Sequence, residues 1–509
     1  MVKNACALAY VIFFLYLCAK FCDKYSMIKQ SDIQNLFFLG IGGIGMSGLA
    51  RYFHHRGFPV AGYDRTPSSL TRELEQEGIE IIYEDSPAIY QARFAAYNSC
   101  HTLVVRTPAV PEESALYTYL REAGYDIRKR AEVLGLVTRS MRALCVAGTH
   151  GKTTTSTMIA HLLYQSVGTN AFLGGISVNY GTNILLDKDS SFVVVEADEY
   201  DRSFHRLTPY MSVVTAVDPD HLDIYGTPEA YREAFAHYTS LITGALVMKH
   251  GIDLKPRLQK GVKCYTYAVL DDQISNDHTA SADRSRPCRD KKCQISNDID
   301  FYADNIRIEG EKILFDFHTP TEAVADVKLG VPVWVNIENG VAAMSVAWLN
   351  GVSADDLRRG MASFKGVMRR FNIHVNTPKV AYIDDYAHHP EEIATSIDSI
   401  RKLYPGRKLI GVFQPHLYTR TRDFADEFRR VLHTLDELIL LPIYPAREEP
   451  IPGVTSEMLG GKVVEKKDLI PELKRRVADS KEPVVVLTVG AGDIDRLVPE
   501  IEKELKDEK

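Results

Sequence analysis

Tryptophan is nearly missing, with two among 509 residues, and cysteine is sparse. The eight thiols, Cys6, Cys18, Cys22, Cys100, Cys145, Cys264, Cys288 and Cys293, are too scattered for a disulfide framework in a chain this long. Only Cys288 and Cys293 lie close together, and no further ligands accompany them, so a metal site there is not expected. Reduced thiols are the expected state. A basic excess is also lacking, since 60 Lys and Arg face 67 Asp and Glu for a net charge of -7. A nucleic-acid face needs a cationic surplus, so nucleic acid is not an expected partner. No apolar run reaches the roughly 20 residues of a spanning helix. What remains, 45% hydrophobic and 25% charged, is ordinary globular composition, and the length suggests about three domains.

The longest apolar run, from Ala5 to Ala19, follows Lys3 in the manner of a signal-peptide hydrophobic region. No small-x-small cleavage site follows; Lys20, Asp23 and Lys24 come instead. Met27 opens a second, soluble-looking beginning, MIKQSDIQNLFFLG. Residues 1–26 therefore read as an over-extended translation start, with an anchor and a signal peptide as alternatives. Membrane contact is expected only through residues 5–19, and the rest is expected to be cytoplasmic.

Strands alternate with helical patterns along the rest of the chain, the signature of parallel α/β sheets. The first unit, 27–140, holds strands at Leu36–Leu39, Pro59–Asp64 and Thr102–Arg106. The second, 141–350, holds Ala143–Ala147, Phe192–Val195 and Val213–Val217. It contains a polar stretch near 269–297, in which QISND occurs twice, read as a disordered surface insertion. The third, 351–509, holds Val380–Ile383, Leu409–Phe413, Leu438–Leu441 and Val484–Val489.

The loops after these strands carry the chemistry. Gly148, Thr149, His150, Gly151, Lys152, Thr153 and Thr154 join a strand to a helix. Glycines there let backbone N–H groups wrap a phosphate, Lys152 can neutralise β/γ oxygens, and Thr153 can offer a hydroxyl to Mg²⁺. The spacing departs from the usual loop, because Val146 stands five before Gly151. Glu196, Asp198 and Glu199 end one strand, and Asp218, Asp220, His221 and Asp223 follow the next; such acids suit Mg²⁺, or simply cap helices. Gly40-Ile-Gly42-Gly43-Ile-Gly45, with Asp64 nineteen residues after Gly45, fits a dinucleotide fingerprint, but physically says only that a pyrophosphate can approach a helix N-terminus. Asn336 and Asn339 share a helical face, which suits an adenine edge or a cap. DDYAHHP at 384–390 and QPHLYTRT at 414–421 place histidines beside acids and arginine, fit for an anion or for surface polarity.

Together GTHGKTTT, EADEYD, DPDHLD, NIEN, RRFN, DDYAHHP and GAGDI resemble, in order, the Mur ligase family, ATP-dependent amide-forming enzymes of peptidoglycan precursor synthesis. The resemblance implies a three-domain α/β architecture: a Rossmann-like UDP-binding domain, a P-loop-type ATPase centre and a Rossmann-like C-terminal domain. It implies ATP and Mg²⁺ as cofactors, with Thr153, Glu196 and His221 on the metal. Gly148–Thr154 would cradle ATP, Asn336 and Asn339 would contact adenine, and Arg370 and Asp385 would close onto the nucleotide. Gly42, Gly43, Gly45, Thr107 and Pro108 would face uridine diphosphate. GIGGIGMSGLA and QPHLYTRT further imply that L-alanine is joined to the lactyl carboxylate of UDP-N-acetylmuramate; attachment of a preformed tripeptide to the same sugar nucleotide is the alternative. Lys152, Glu196, His221 and His389 are the implied catalytic groups, with His388 as a second candidate base. A monomer or homodimer is expected. Three departures stand out: Ala216 and Val335 replace the Asn and His of many members, and Phe235 falls where sibling ligases carry a carbamoylated lysine.

Overall fold

Three sheets follow one another along the chain. The computed structural model describes residues 32–219, 222–270, 299–446 and 448–506, with only the backbone of 222 and 223. The N-terminal extension, His221 and nearly all of the 269–297 stretch lie outside the described residues. Among the described residues no helix is long and apolar enough to cross a membrane.

The first sheet comprises β1 (Asn35–Leu39), β2 (Val60–Tyr63), β3 (Glu80–Ile82), β4 (Thr102–Arg106) and β5 (Asp126–Lys129). All pairs are parallel, in the order β3-β2-β1-β4-β5. Leu36–Leu39 and Leu103–Val105 are buried throughout, as continuous apolar runs must be in a sheet covered on both faces. The strand order reverses between β1 and β4. The glycine loop after β1 and Thr107-Pro108 after β4 therefore open onto the same crevice, where such sheets take ligands.

The central sheet holds β6 (Arg142–Ala147), β7 (Asn170–Ser177), β8 (Thr182–Leu185), β9 (Phe192–Glu196), β10 (Met211–Val214), β11 (Ala245–Lys249), β12 (Lys263–Val269), β13 (Phe301–Glu309), β14 (Lys312–His318) and β15 (Ala323–Lys328). Their order is β15-β14-β13-β12-β11-β10-β6-β9-β7-β8. The strand expected at 213–217 begins earlier and ends at Val214, which leaves Thr215–Val217 as loop beyond the sheet edge. Two antiparallel edges were not foreseen, the β7–β8 hairpin and the β13–β15 meander. Helix Lys152–Tyr164 packs against helix Val335–Leu349 over this sheet.

The third sheet contains β16 (Asn372–Asn376), β17 (Val380–Asp385), β18 (Lys408–Phe413), β19 (Glu437–Leu440), β20 (Lys462–Val463) and β21 (Val484–Val489), in the order β16-β17-β21-β18-β19-β20. It is tethered next to the end of β7. Met368 N–H donates to Ile176 O at 2.8 Å, and Val178 N–H donates to Gly366 O at 3.0 Å. Arg369 and Phe371 then take left-handed φ values of 63° and 53°. Such a backbone is uncommon outside glycine. Arg369 is held there by the carbonyls of Gly490 and Gly492.

Phe235 lies in helix Pro228–Thr239 and is fully buried, with ring contacts to Phe204 at 5.2 Å and Tyr231 at 5.1 Å. The position is core packing. Phe235→Ala is expected to cost about 3–5 kcal/mol, the range for deleting a buried aromatic ring. A lowered midpoint in urea unfolding checks it.

Candidate active site

β6 ends at Ala147, and the chain bends through Gly148, at φ 137°, into the helix that starts at Lys152. A Cβ on Gly148 would lie 2.1 Å from Thr215 Oγ1 and 2.9 Å from Ala216 N, so only glycine fits between β6 and the loop after β10. That second loop braces the first. Thr149 N–H donates to Ala216 O at 3.1 Å, Thr149 Oγ1 donates to Asp218 O at 2.8 Å, and Thr215 Oγ1 donates to His150 O at 2.5 Å. Ala216 contributes its backbone to this brace.

Lys152 does not extend into open space. Its ammonium donates to Gly148 O at 2.7 Å, to Thr149 O at 3.3 Å and to Glu199 Oε1 at 2.8 Å. Thr153 Oγ1 donates to Glu196 Oε1 at 3.1 Å. The Glu196 residue keeps partial solvent contact, yet its Oε2 is buried and has no hydrogen-bond partner among the described residues. Burial pushes the Glu196 carboxyl above its ordinary range, against the pull of Lys152 and Thr153. Gly174 of β7 backs this carboxylate so closely that a Cβ there would meet Oε2 at 2.1 Å.

A cavity of about 430 Å³ opens over this loop. Thr149–Thr154 and Glu196 line it from the central sheet, as do Asn336 and Asn339 from the helix Val335–Leu349. Both asparagines are buried, and they are tied together: Asn339 Nδ2 donates to Asn336 Oδ1 at 3.1 Å, and Thr155 Oγ1 donates to Asn339 Oδ1 at 3.2 Å. Exposed Val335 borders the cavity, and a Lys249–Glu338 ion pair at 2.9 Å crosses its wall. The third sheet supplies the far wall with Arg370, Asp385 and Ser396. Ser396 Oγ donates to Asp385, whose carboxyl burial pushes upward.

Residues far apart in sequence thus meet. Of the expected ATP and metal residues, Thr149–Thr154, Glu196, Asn336, Asn339, Arg370 and Asp385 share this one cavity, and Gly148 forms the bend beneath it. His389 does not line it. Its position caps the helix Pro390–Leu403, and its ring stands edge-on to Phe424 at 4.8 Å with Nδ1 buried and unpartnered among the described residues. His388 faces another cluster, 6.2 Å from the His416 ring, which in turn lies beside Arg420. Burial lowers the pKa of His388; burial and the Arg420 charge lower His416 to about 4. Both imidazoles are therefore neutral near pH 7.

Gly42, Gly43, Gly45, Thr107 and Pro108 are not part of the cavity lining; they lie where the strand order of the first sheet reverses. A Cβ on Gly40 would meet Thr107 Cγ2 at 2.5 Å, which puts the two loops in contact. Asp64 accepts from Gly42 N–H at 2.8 Å and so folds over the loop. Arg130, unremarked in the sequence, lies against Gly45, where an added Cβ would meet Nη1 at 2.9 Å. Its position just beyond β5, beside β4, is the signal that would have found it. The unforeseen hairpin β7–β8 bridges the two sites. Asn183 Nδ2 donates to Ile44 O at 3.2 Å at one end, and Gly174 touches Glu196 at the other.

Family descriptions match the chain in three consecutive blocks: "Mur ligase family, catalytic domain" over 35–142, "Mur ligase middle domain" over 146–347 and "Mur ligase, glutamate ligase domain" over 369–492. The chain belongs to the Mur ligase family. It is 56% identical over 479 residues to a UDP-N-acetylmuramate–L-alanine ligase of Parabacteroides distasonis, covering 93% of this chain and 97% of that one. Among solved structures, a UDP-N-acetylmuramate–alanine ligase of Thermotoga maritima matches with a TM-score of 0.68 at 25% identity, over 93% of this chain and all of that one. A murein peptide ligase of Psychrobacter arcticus matches with a TM-score of 0.59 at 22% identity, over 93% and 98%, and at that identity speaks for the fold alone. The expected three-domain Mur ligase architecture is the one observed.

Proposed function

We propose that this Mur ligase joins L-alanine to the lactyl carboxylate of UDP-N-acetylmuramate at the expense of ATP. One observation carries the reading: Lys152, Glu196 and Arg370, from two domains, line one cavity in a chain 56% identical to a relative of that name. The triphosphate would lie along Gly148–Thr154, its base toward Asn336 and Asn339. The lactyl carboxylate attacks the γ-phosphorus, ADP leaves, and an acyl phosphate forms. The amine of alanine then attacks the acyl carbon, and inorganic phosphate leaves with the mixed-anhydride bond. Lys152 and Arg370 would offset the charge that accumulates as two anions meet. The neutral His388, with His416 beside it, would receive the proton that the alanine ammonium must lose. Arg420 beside them suits the alanine carboxylate.

The donor set at Glu196 supports a divalent cation, because a buried carboxylate oxygen without a partner among the described residues stands next to the Thr153 hydroxyl. Hard oxygen donors favour Mg²⁺. Thr153 and Glu196 would hold it together with His221, and when bound it neutralises phosphoryl oxygens. The uridine diphosphate would occupy the crevice of Gly42, Gly43, Gly45, Thr107 and Pro108, with Arg130 facing its charge.

An acyl phosphate hydrolyses in water, so the cavity must close before chemistry. The linker at Gly366–Phe371 is where the third domain can turn. A phosphate-release assay with UDP-N-acetylmuramate tests the reading. Release is expected with L-alanine and not with the tripeptide L-alanyl-γ-D-glutamyl-meso-diaminopimelate. Release with the tripeptide alone would overturn it.

A further inference from the structure

An ammonium has three N–H donors. At Lys152 all three are spent within the protein: on two carbonyls of its own loop and on Glu199. A lysine so engaged has none left for a phosphate. Two of the three acceptors belong to the loop and follow from its fold. Glu199 is different, because it approaches from the end of β9, 47 residues along the chain, and brings a full charge.

The setting of Glu199 is elaborate for a residue with no other task. It is 1% exposed, and its second carboxylate oxygen, Oε2, is buried without a hydrogen-bond partner among the described residues. Its backbone is fixed from two sides. Tyr225 Oη donates to Glu199 O at 2.5 Å, and Arg202 N–H donates to the same carbonyl at 2.9 Å. Asp201 and Arg202 take left-handed φ values of 52° and 55° to make this turn, and the Arg202 guanidinium lies over the Tyr225 ring at 5.3 Å. A strained backbone persists only where its surroundings hold it, and here it delivers one carboxylate to one lysine.

We propose that Glu199 is a positioning residue that latches the Lys152 ammonium in a retracted place while the loop is empty, and releases it to the phosphates when a triphosphate binds. The inference rests on the ATP-dependent reading above and adds a residue to it. The charged hydrogen bond to Glu199 must break, or be shared, whenever Lys152 turns to a phosphate. The latch therefore opposes nucleotide binding, and weakening it must tighten that binding.

The test compares the full chain with Glu199→Gln, which keeps the shape and removes the charge. The first measurement is the Kd of a non-hydrolysable β,γ-methylene analogue of ATP. The second is acylation of Lys152 by a small amine-reactive anhydride in the nucleotide-free protein, read by peptide mass spectrometry. Glu199→Gln should bind the analogue roughly tenfold more tightly, in line with replacing a charged acceptor of the Lys152 hydrogen bond by a neutral one. Its Lys152 should be acylated several-fold faster, with the analogue protecting it. Mere structural damage would weaken binding. Tyr225→Phe, which loosens the Glu199 carbonyl and leaves the carboxylate, should shift both readings in the same direction by less, and decides the matter if Glu199→Gln does not fold. If the wild-type chain binds the analogue and either the affinity or the acylation rate fails to rise in the folded variant, the latch alone is overturned. A wild-type chain that binds no analogue overturns the ligase reading and the latch with it.

Discussion

Replacing Lys152 with alanine will remove phosphate release that depends on both UDP-N-acetylmuramate and L-alanine, by at least about a thousandfold, in keeping with the loss of a group that stabilises charge on a transferring phosphoryl. It will also change stability, and in a pH-dependent way. Among the described residues Lys152 is the one ion-pair partner of Glu199, at 2.8 Å, and Glu199 is 1% exposed. Removing one partner of a buried pair leaves the other charge uncompensated, at a cost of about 3–5 kcal/mol. Burial already raises the pKa of Glu199, with Lys152 pulling the other way; without the lysine it will rise further. A carboxyl whose folded pKa lies above its unfolded value contributes stability that is full below the unfolded pKa and is lost as pH rises through the folded one. The deficit of Lys152→Ala relative to wild type should therefore be largest near about pH 8 and shrink toward about pH 5. Urea titrations at several pH values check the sign. A deficit that does not change with pH would mean that Glu199 gains another partner when the lysine is gone.

The bend that carries Lys152 was legible because its chemistry is local: a strand, two glycines, a lysine and two threonines, then a helix, all within a dozen residues. Asn336 and Asn339 were legible for the same reason, since a spacing of three puts two amides on one helical face, and they do hydrogen-bond to each other. The Lys152–Glu199 pair was not legible. EADE offers three acids at one strand end, and only the turn through Asp201 and Arg202 decides that the third reaches the lysine. Where each of two adjacent histidines goes was equally hidden. His388 and His389 differ by one residue, but the helix start at Pro390 sends the second toward Phe424. The β7–β8 hairpin escaped notice because NAFLGGIS carries two glycines and no clean alternation. Those glycines are there to let Glu196, Thr153 and Val367 approach, which is a tertiary fact. The meander β13–β15 is another matter. KILFDFH alternates buried and partly buried positions at a period of two, but the polar stretch before the meander hides where its first strand begins.

Glu196→Gln should separate function from stability. The wild-type carboxylate has one oxygen paired with Thr153 and the other buried with no partner among the described residues, and burial raises its pKa. A charge kept in such a place disfavours the folded state of the nucleotide-free chain. A neutral amide of the same shape relieves that penalty, and the empty protein should gain about 1 kcal/mol in urea unfolding, a common scale for relaxing a functional site. The same change removes the negative charge that a cation at Thr153 and Glu196 requires. Turnover should fall by about a hundredfold or more, the scale of losing one electrostatic stabiliser of a transition state. The Mg²⁺ concentration for half-maximal rate should also move upward, as measured by titrating Mg²⁺ against phosphate release. Glu196→Asp tests whether reach matters as well as charge. Gly174 seals the pocket behind Oε2, so the shorter side chain cannot be compensated by a shift of β7 toward it without closing the space the backbone already fills. Activity should be partly restored relative to the amide, without the gain in stability. If instead the amide is both less stable and less active, Glu196 is a structural hydrogen-bond acceptor for Thr153, and the metal must be held by other groups.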